Sequence, residues 1–574
     1  MSAVVSLDNP IAGVLAPLFA LRAKNDHGCG DVEALREFVV WAAAQGFRCV
    51  QLLPVNETGA DNSPYNAISS VALEPSTLAM SEVEDLSVAE LSECGVLPGD
   101  TGAVQWREVK ERKWDLLQQA FANFCVHHWE GFDLRAREFR DFIRAEADWL
   151  ESYALFRVLM ERHGSEQWDT WPEEVRSFAS ASKWLAAQRS GVRDEIALEV
   201  RFYKYVQWLA FMQWRAVRRF AGERGVVLMG DVPFGVNYYS ADVWAEPALF
   251  DLRWSGGAPP EPAFVDDEFV RRWGQNWGVP LYCWPQHRAT DFAWWRQRVR
   301  MIAEAFHLFR IDHVLGFFRI YGFPWRPQRN AEFAHLSEAE ARERAGGELP
   351  RFHEHPDGSA EEKGANRAQG EEFLRVLQEE VGPSVLIGED LGTVPDYVRP
   401  SLLSLGIPGF KVPFWEREHD TRLTPGADYP RCSVATFATH DHEPLRVTWE
   451  RWMATIAAAI VEPERLAPAR DAAWWEARRL ATWAGFEVPR MMTFEEVHAP
   501  LLAALLRSQS WLAAVMITDV LGTTQRFNVP GTVGAENWSA RLPVGWEKEP
   551  AIAQAAALVR ASGRATFARQ TDTP

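Results

Sequence analysis

Residues 308–322 read LFRIDHVLGFFRIYG, an apolar run of strand length that is interrupted by Arg310, Asp312 and His313. A lone buried charge costs several kcal/mol or neutralises itself, so charges inside such a run are paired or at work. Residues two apart on a strand point to the same side, which puts Arg310 and Asp312 together on one face. The guanidinium then favours an ionised Asp312, as a carboxylate nucleophile requires. A buried Arg–Asp pair without chemistry fits the stretch as well, so its neighbours must decide.

Seven short runs, this one included, share one design: an apolar stretch ends in acidic or polar residues and a turn. They are FRCVQLLPV (47–55) before Asn56 and Glu57, VVLMGDVPF (226–234) with Asp231, HLFRIDH (307–313), and VLIGED (385–390) with Glu389 and Asp390. GIPGFKVPF (406–414) with Lys411, SVATFATHD (433–441) with His440 and Asp441, and AVMITDVLG (514–522) with Asp519 complete the set. Runs of this length without strict alternation fit strands covered on both faces, as in a parallel sheet. Helical patterns lie between several of them, at 31–45, 198–225, 290–306, 369–381 and 395–405. The alternation predicts an α/β fold, a (β/α)8 TIM barrel whose working residues sit at the C-terminal ends of strands. A doubly wound dinucleotide-binding sheet is disfavoured, because no strand is followed by GxGxxG.

The chain has 574 residues, more than a plain barrel needs, so large and mainly helical insertions are expected. The reading places the start of the catalytic barrel at 1–80, a mainly helical insertion subdomain at 81–196, and the rest of the barrel at 197–574. Excursions are expected at about 325–367, which is polar and rich in Gly, Pro and charge, and at 448–509, which is helical.

A net charge of −19 and the lack of a sustained basic block argue against nucleic acid and anionic membranes as partners. The six cysteines are scattered without CxxC spacing and read as reduced thiols. The N-terminal stretch MSAVVSLDNPIAGVLAPLFAL is apolar in places, yet it lacks a basic start and carries Asp8 and Pro10. No segment has the roughly 18 uncharged apolar residues of a membrane helix, so a cytoplasmic location is expected. The 27 tryptophans are either core filling or flat platforms for sugar faces.

Glu389 follows an apolar strand at a Gly turn, a setting that leaves a carboxylic acid desolvated and fit for general-acid work. His440 and Asp441 end another strand. Acids at 312, 389 and 441 come from three strand ends, which a barrel brings together.

In this order, RIDH, IGEDLG and ATHD resemble the three catalytic strand motifs of the amylomaltases, the 4-α-glucanotransferases of the α-amylase clan. NSPYNAISS (62–70), GDVPFGVNYYSADVW (230–244), GQNWGVPLYCWP (274–285) and RFNVPGTVGAENWSARLP (526–543) are similar to further segments of that family, and the resemblance spans nearly the whole chain. It implies a retaining transfer of α-1,4-glucan segments from maltodextrins to a glucan or glucose. Asp312 would be the nucleophile, Glu389 the acid and base, and Asp441 the transition-state stabiliser. Arg310, His440, Tyr65, Asp231, Gln275 and Trp277 would bind substrate or support these acids. A retaining pair of carboxyls lies about 5 to 5.5 Å apart. Neither a metal nor an organic cofactor is implied.

Residues 255–269 (SGGAPPEPAFVDDEF) sit where the family has a mobile loop over the cleft; Phe264 and Phe269 suit a lid that excludes water. The chain departs from the common family pattern at Leu315 and at His442-Glu443. Rival readings are an α-glucan hydrolase using the same acids, a non-catalytic glycan-binding barrel, and a metal site built on His440-Asp441-His442. The last lacks the later strand-end histidines such sites need.

Overall fold

The computed structural model describes residues 6–93, 102–131, 133–261, 267–382, 385–418, 422–461, 463–530, 532, 534 and 536–565. Among them, the strands are β1 (Ile11–Leu15), β2 (Cys49–Gln51), β3 (Val227–Val232), β4 (Phe250–Ala258), β5 (Gln275–Tyr282), β6 (Leu308–Ile311), β7 (Ile320–Phe323), β8 (Arg351–His353), β9 (Val385–Gly388), β10 (Gly409–Lys411), β11 (Ser433–Ala435) and β12 (Leu512–Met516). A closed parallel barrel runs β1-β12-β11-β10-β9-β6-β3-β2, and a small sheet runs β5-β4-β7-β8. The (β/α)8 expectation is met. The seven predicted strands are all barrel strands, and the eighth is IAGVL, from the N-terminal stretch that the sequence had shown only as apolar.

Alternation inside the barrel answers the opening question. One buried cluster gathers Ile11, Cys49, Val227, Met229, Leu308, Ile387, Phe410, Val434 and Trp511, while Leu228, Val232, Phe309, Ile311 and Leu386 belong to the cluster shared with the surrounding helices. Period-two geometry therefore puts Leu308, Arg310 and Asp312 in one inward row and Phe309 and Ile311 outward. The interior is apolar towards the strand starts and polar towards their C-terminal ends.

Helices are fixed by local chemistry as well as by packing. Helix Val32–Gln45 starts at Asp31, whose Oδ1 accepts the amides of Glu33 at 3.0 Å and Ala34 at 3.2 Å, and stops at Gly46, in the left-handed region at φ 94°. Lys113, on the inserted helix Trp106–Phe124, reaches the same Asp31 at 3.4 Å and the carbonyls of Ser76 and Leu78. Helices Leu134–Ala145, Ala147–His163 and Phe178–Ala186 follow, and then the 34-residue helix Ser190–Glu223. Gln207 and Gln213 of that helix each hold a backbone N–H and C=O, of Leu73 and Ala79 respectively.

Two expectations change. The start of the segment 255–269 is not loop: Ser255–Ala258 is the end of β4, paired with β5 and β7, and residues 262–266 lie outside the described residues. Phe269 is buried against Phe323, with ring centroids 6.2 Å apart, and Phe264 lies outside the described residues. The excursion at 325–367 contains β8 and the buried Trp325 and Phe333, stacked at 3.7 Å, and its last residues already belong to helix Ala360–Val381. Most tryptophans serve the core; Trp277, Trp415 and Trp475 are the exposed ones among the described residues. No helix there is long and apolar enough to cross a membrane.

Barrel closure is clamped from below by Arg564. This buried guanidinium donates to the carbonyls of Leu506 (2.6 Å), Ile11 (3.1 Å), Trp511 (3.0 Å), Ser508 (2.6 Å) and Ser510 (2.7 Å). Carbonyls left unpaired in the interior are costly. Arg564→Ala should destabilise the fold by about 2–4 kcal/mol, and Arg564→Lys, with three donors, by less. Calorimetric melting of both variants beside the parent checks this; unchanged melting would remove the clamp from the account.

Candidate active site

Four barrel strands, β3, β6, β9 and β11, deliver the charged groups at the polar end of the interior. Asp231 on β3 and Arg310 on β6 are direct partners across neighbouring strands. Arg310 Nη1 lies 2.7 and 2.6 Å from the two Asp231 oxygens, and its Nη2 lies 2.7 Å from Asp312 Oδ1. Arg310 is 3% exposed, whereas the Asp312 side chain is 30% exposed, so the pair has a buried anchor and an accessible end. The ring of Phe410 lies under the guanidinium, 5.7 Å from its carbon.

Glu389 follows β9 and is buried. Its Oε2 accepts the His313 amide at 2.8 Å and its Oε1 the Leu391 amide at 2.9 Å. His313 is at φ 45°, a left-handed conformation rare for a residue with a side chain. Sparsely populated backbone of this kind persists where the surroundings over-determine it. Burial pushes the Glu389 carboxyl up to about 8; Arg310 opposes the rise and Asp312 adds to it.

Asp441 has the opposite environment. Burial would raise its carboxyl, but the His440 imidazole and the hydrogen bonds from His440 and Asn528 outweigh it and hold it well below the usual carboxylate range. His440 Nε2 is 3.2 Å from Asp441 Oδ2, and Asn528 Nδ2 donates to Oδ1 at 2.7 Å. Tyr65 donates to Asp231 Oδ2 at 2.7 Å, and its oxygen is 3.3 Å from His440 Nδ1. The Tyr65 and His440 rings stack at 4.8 Å and 13°, with Trp538 5.9 Å from each. The six residues Tyr65, Asp231, Arg310, Asp312, His440 and Asp441 thus form one connected network, which the His313 amide links to Glu389.

Gln275 and Trp277, on β5, sit beside rather than inside this network. Trp277 Nε1 donates to Gln275 Oε1 at 3.2 Å, and its exposed indole meets the His313 ring edge-on at 4.7 Å. The residues at the two departures divide. Leu315 is buried in the core, while His442 packs on the exposed Trp415 at 4.8 Å and accepts the Thr439 hydroxyl at 2.9 Å. His440 and His442 therefore have separate partners, and no group of three or more metal-ligating side chains occurs among the described residues.

Sequence reasoning missed the amides of His313 and Leu391, because backbone donors leave no trace in residue type. Asn528 and Trp538 were within reach, since both lie in the segment 526–543 that resembles a family motif. The His353 ring, in the segment expected to be an exposed excursion, is packed on Trp254 at 4.3 Å, because β8 joins the small sheet.

Residues 16–546 match a family model described as 4-alpha-glucanotransferase. A 4-alpha-glucanotransferase of Chlamydia pneumoniae is 30% identical over 556 residues, covering 93% of this chain and 91% of that protein. One of Thermus thermophilus is 31% identical over 518 residues, covering 88% and 90%. Among solved structures, the amylomaltase of Streptococcus agalactiae in complex with acarbose shares the fold, with a TM-score of 0.74 at 22% identity over 97% of this chain and 99% of that one. The sequence match runs from just after β1 through the other seven strands of the barrel and all three acids, and this chain belongs to the 4-alpha-glucanotransferase family.

Proposed function

We propose that the chain moves α-1,4-glucan segments from a maltodextrin donor to the 4-hydroxyl of another glucan or of glucose, by double displacement. Asp312 attacks the anomeric carbon as the bond to the departing glycosidic oxygen breaks, and Glu389 gives that oxygen its proton. A covalent glycosyl ester on Asp312 results. In the second half, Glu389 takes the proton of the acceptor hydroxyl, whose oxygen displaces Asp312 and restores the α configuration. Asp441, held ionised, stabilises the oxocarbenium-like charge between the two states. Arg310 orients Asp312, while Tyr65, Asp231 and His440 supply the floor against which the reacting sugar sits.

The observation that carries this reading is the contrast between two carboxyls at one barrel mouth, the buried Glu389 and the half-exposed Asp441. Environments that push pKa values apart assign an acid and an anion, and here Glu389 is raised while Asp441 is depressed. Asp312 stands between them with an accessible carboxylate fixed by Arg310. Trp277, exposed beside His313, offers an apolar face for a sugar on the same side. Free cysteines at 29, 49, 125, 283 and 432 suit a reducing compartment such as the cytoplasm.

Purified protein given maltotriose should yield glucose and a ladder of longer oligomers while total reducing ends stay constant. Asp312→Asn should abolish both. A rise in reducing ends would make the chain a hydrolase, and no products from any maltodextrin would favour a glycan-binding barrel.

The acid works only when protonated, so activity should fall as pH rises through the raised Glu389 value near 8. Glu389→Gln should cost about 10²–10⁴ in rate with maltotriose and remove that alkaline limb. With α-glucosyl fluoride, whose leaving group needs no proton, the loss should be much smaller. Equal losses with both donors would contradict the acid role.

A further inference from the structure

Asp519 is a strand-end acid that the reaction does not use. It follows β12 in the helix Ile517–Leu521, is 1% exposed, and has no cationic partner among the described residues. Its Oδ1 accepts the Leu445 amide at 2.8 Å, and its Oδ2 has no hydrogen-bond partner. Burial pushes the carboxyl up to about 7, with the Leu445 amide opposing. A buried carboxylate with an idle oxygen costs stability, and such groups call for an explanation outside stability.

The explanation lies in what it joins. Leu445 opens the 17-residue helix Leu445–Val461, and the chain between it and Asp441 is only His442, Glu443 and Pro444. The segment after Asp519 contacts the same short stretch at two further places. The Gly522 carbonyl accepts from Arg446 Nε, and Asp441 itself is held by Arg526, which donates to its carbonyl at 3.1 Å, and by Asn528 at its Oδ1. Residues 441–446 and 519–528 are thus stitched at several points, and Asp519 supplies the carboxylate that fastens the backbone at Leu445, four residues from Asp441. Asp519 is itself fixed, since its carbonyl lies 2.6 Å from His498 Nε2.

We propose that Asp519 is a positioning residue for Asp441: its carboxylate fastens the Leu445 amide, which sets where the short connection places the Asp441 carboxyl. The proposal rests on the assignment of Asp441 to transition-state stabilisation. It places an acid in the barrel whose burial trades stability for geometry at the reacting sugar.

The test compares Asp519→Leu, Asp519→Asn and Asp441→Asn with the parent for maltotriose kinetics and thermal melting. Leu removes the buried charge and fills similar space, so Asp519→Leu should melt at or above the parent temperature. Its kcat should nevertheless fall by about tenfold or more, since ångström-scale misplacement near the chemistry costs up to about a hundredfold. KM should stay within about twofold, as the lost interaction acts in the transition state. Asp519→Asn keeps an oxygen for the Leu445 amide and should recover most of kcat. The proposal is overturned if Asp519→Leu keeps kcat within about twofold, or if kcat and melting temperature fall together. It is overturned also if Asp519→Asn is as slow as Asp519→Leu. Full activity in Asp441→Asn would instead sink the assignment of Asp441; a dead Asp441→Asn beside a normal Asp519→Leu would sink only the positioning role.

Discussion

The polar end of this barrel depends on one guanidinium. Arg310 lies in an interior that is otherwise apolar up to its own level, with Phe410 beneath it and a carboxylate on either side. A cation there is tolerable only when paired, and carboxylates packed inside are tolerable only beside it. Fixing Arg310 against Asp231 in strand register leaves its second nitrogen to orient Asp312. The same Asp231 holds Tyr65, whose ring stacks on His440 next to Asp441. Each further polar contact is therefore aligned, directly or at one remove, to the row that begins with Leu308.

Backbone geometry supplies what side chains cannot. The left-handed turn at His313 aims an amide at Glu389 immediately after Asp312, so the two carboxyls are tied together through adjacent residues. Two amide donors favour the anion of Glu389, yet burial prevails and the group remains an acid into the neutral range. Asp441 shows the converse balance, with more of its side chain exposed and two side-chain donors in reach. Two carboxyls of similar intrinsic acidity are thus separated by environment alone.

Much of this was legible in the sequence, because a barrel strand covered on both faces writes itself as a short apolar run and the acids mark where the runs end. IAGVL escaped because it carries no polar terminus and merges with the apolar APLFAL that follows. The small sheet escaped for another reason: β4 ends in SGGA and β5 begins with QNWG, glycine-rich segments whose strand character comes from pairing with each other and with β7. Propensity reads such stretches as loop, and tertiary context overrides it. Phe269 was taken for a lid residue because sequence does not show that Phe323 and Trp273 bury it. Among site residues, charged side chains were readable and amide donors were not.

The Arg564 clamp and the β1–β12 pairing also govern the order in which the molecule can be made. A ribosome releases the chain from its N-terminus, so the first strand emerges some five hundred residues before its partner and the arginine that bridges them. Until then β1 has only β2 beside it, and its other edge carries unpaired amides and carbonyls of the kind that recruit foreign strands. Contacts this distant along the chain close late and slowly. The nascent protein must therefore carry an open seam until β12 is made, which makes the early strand, more than the charged barrel mouth, its point of exposure to aggregation and to chaperones.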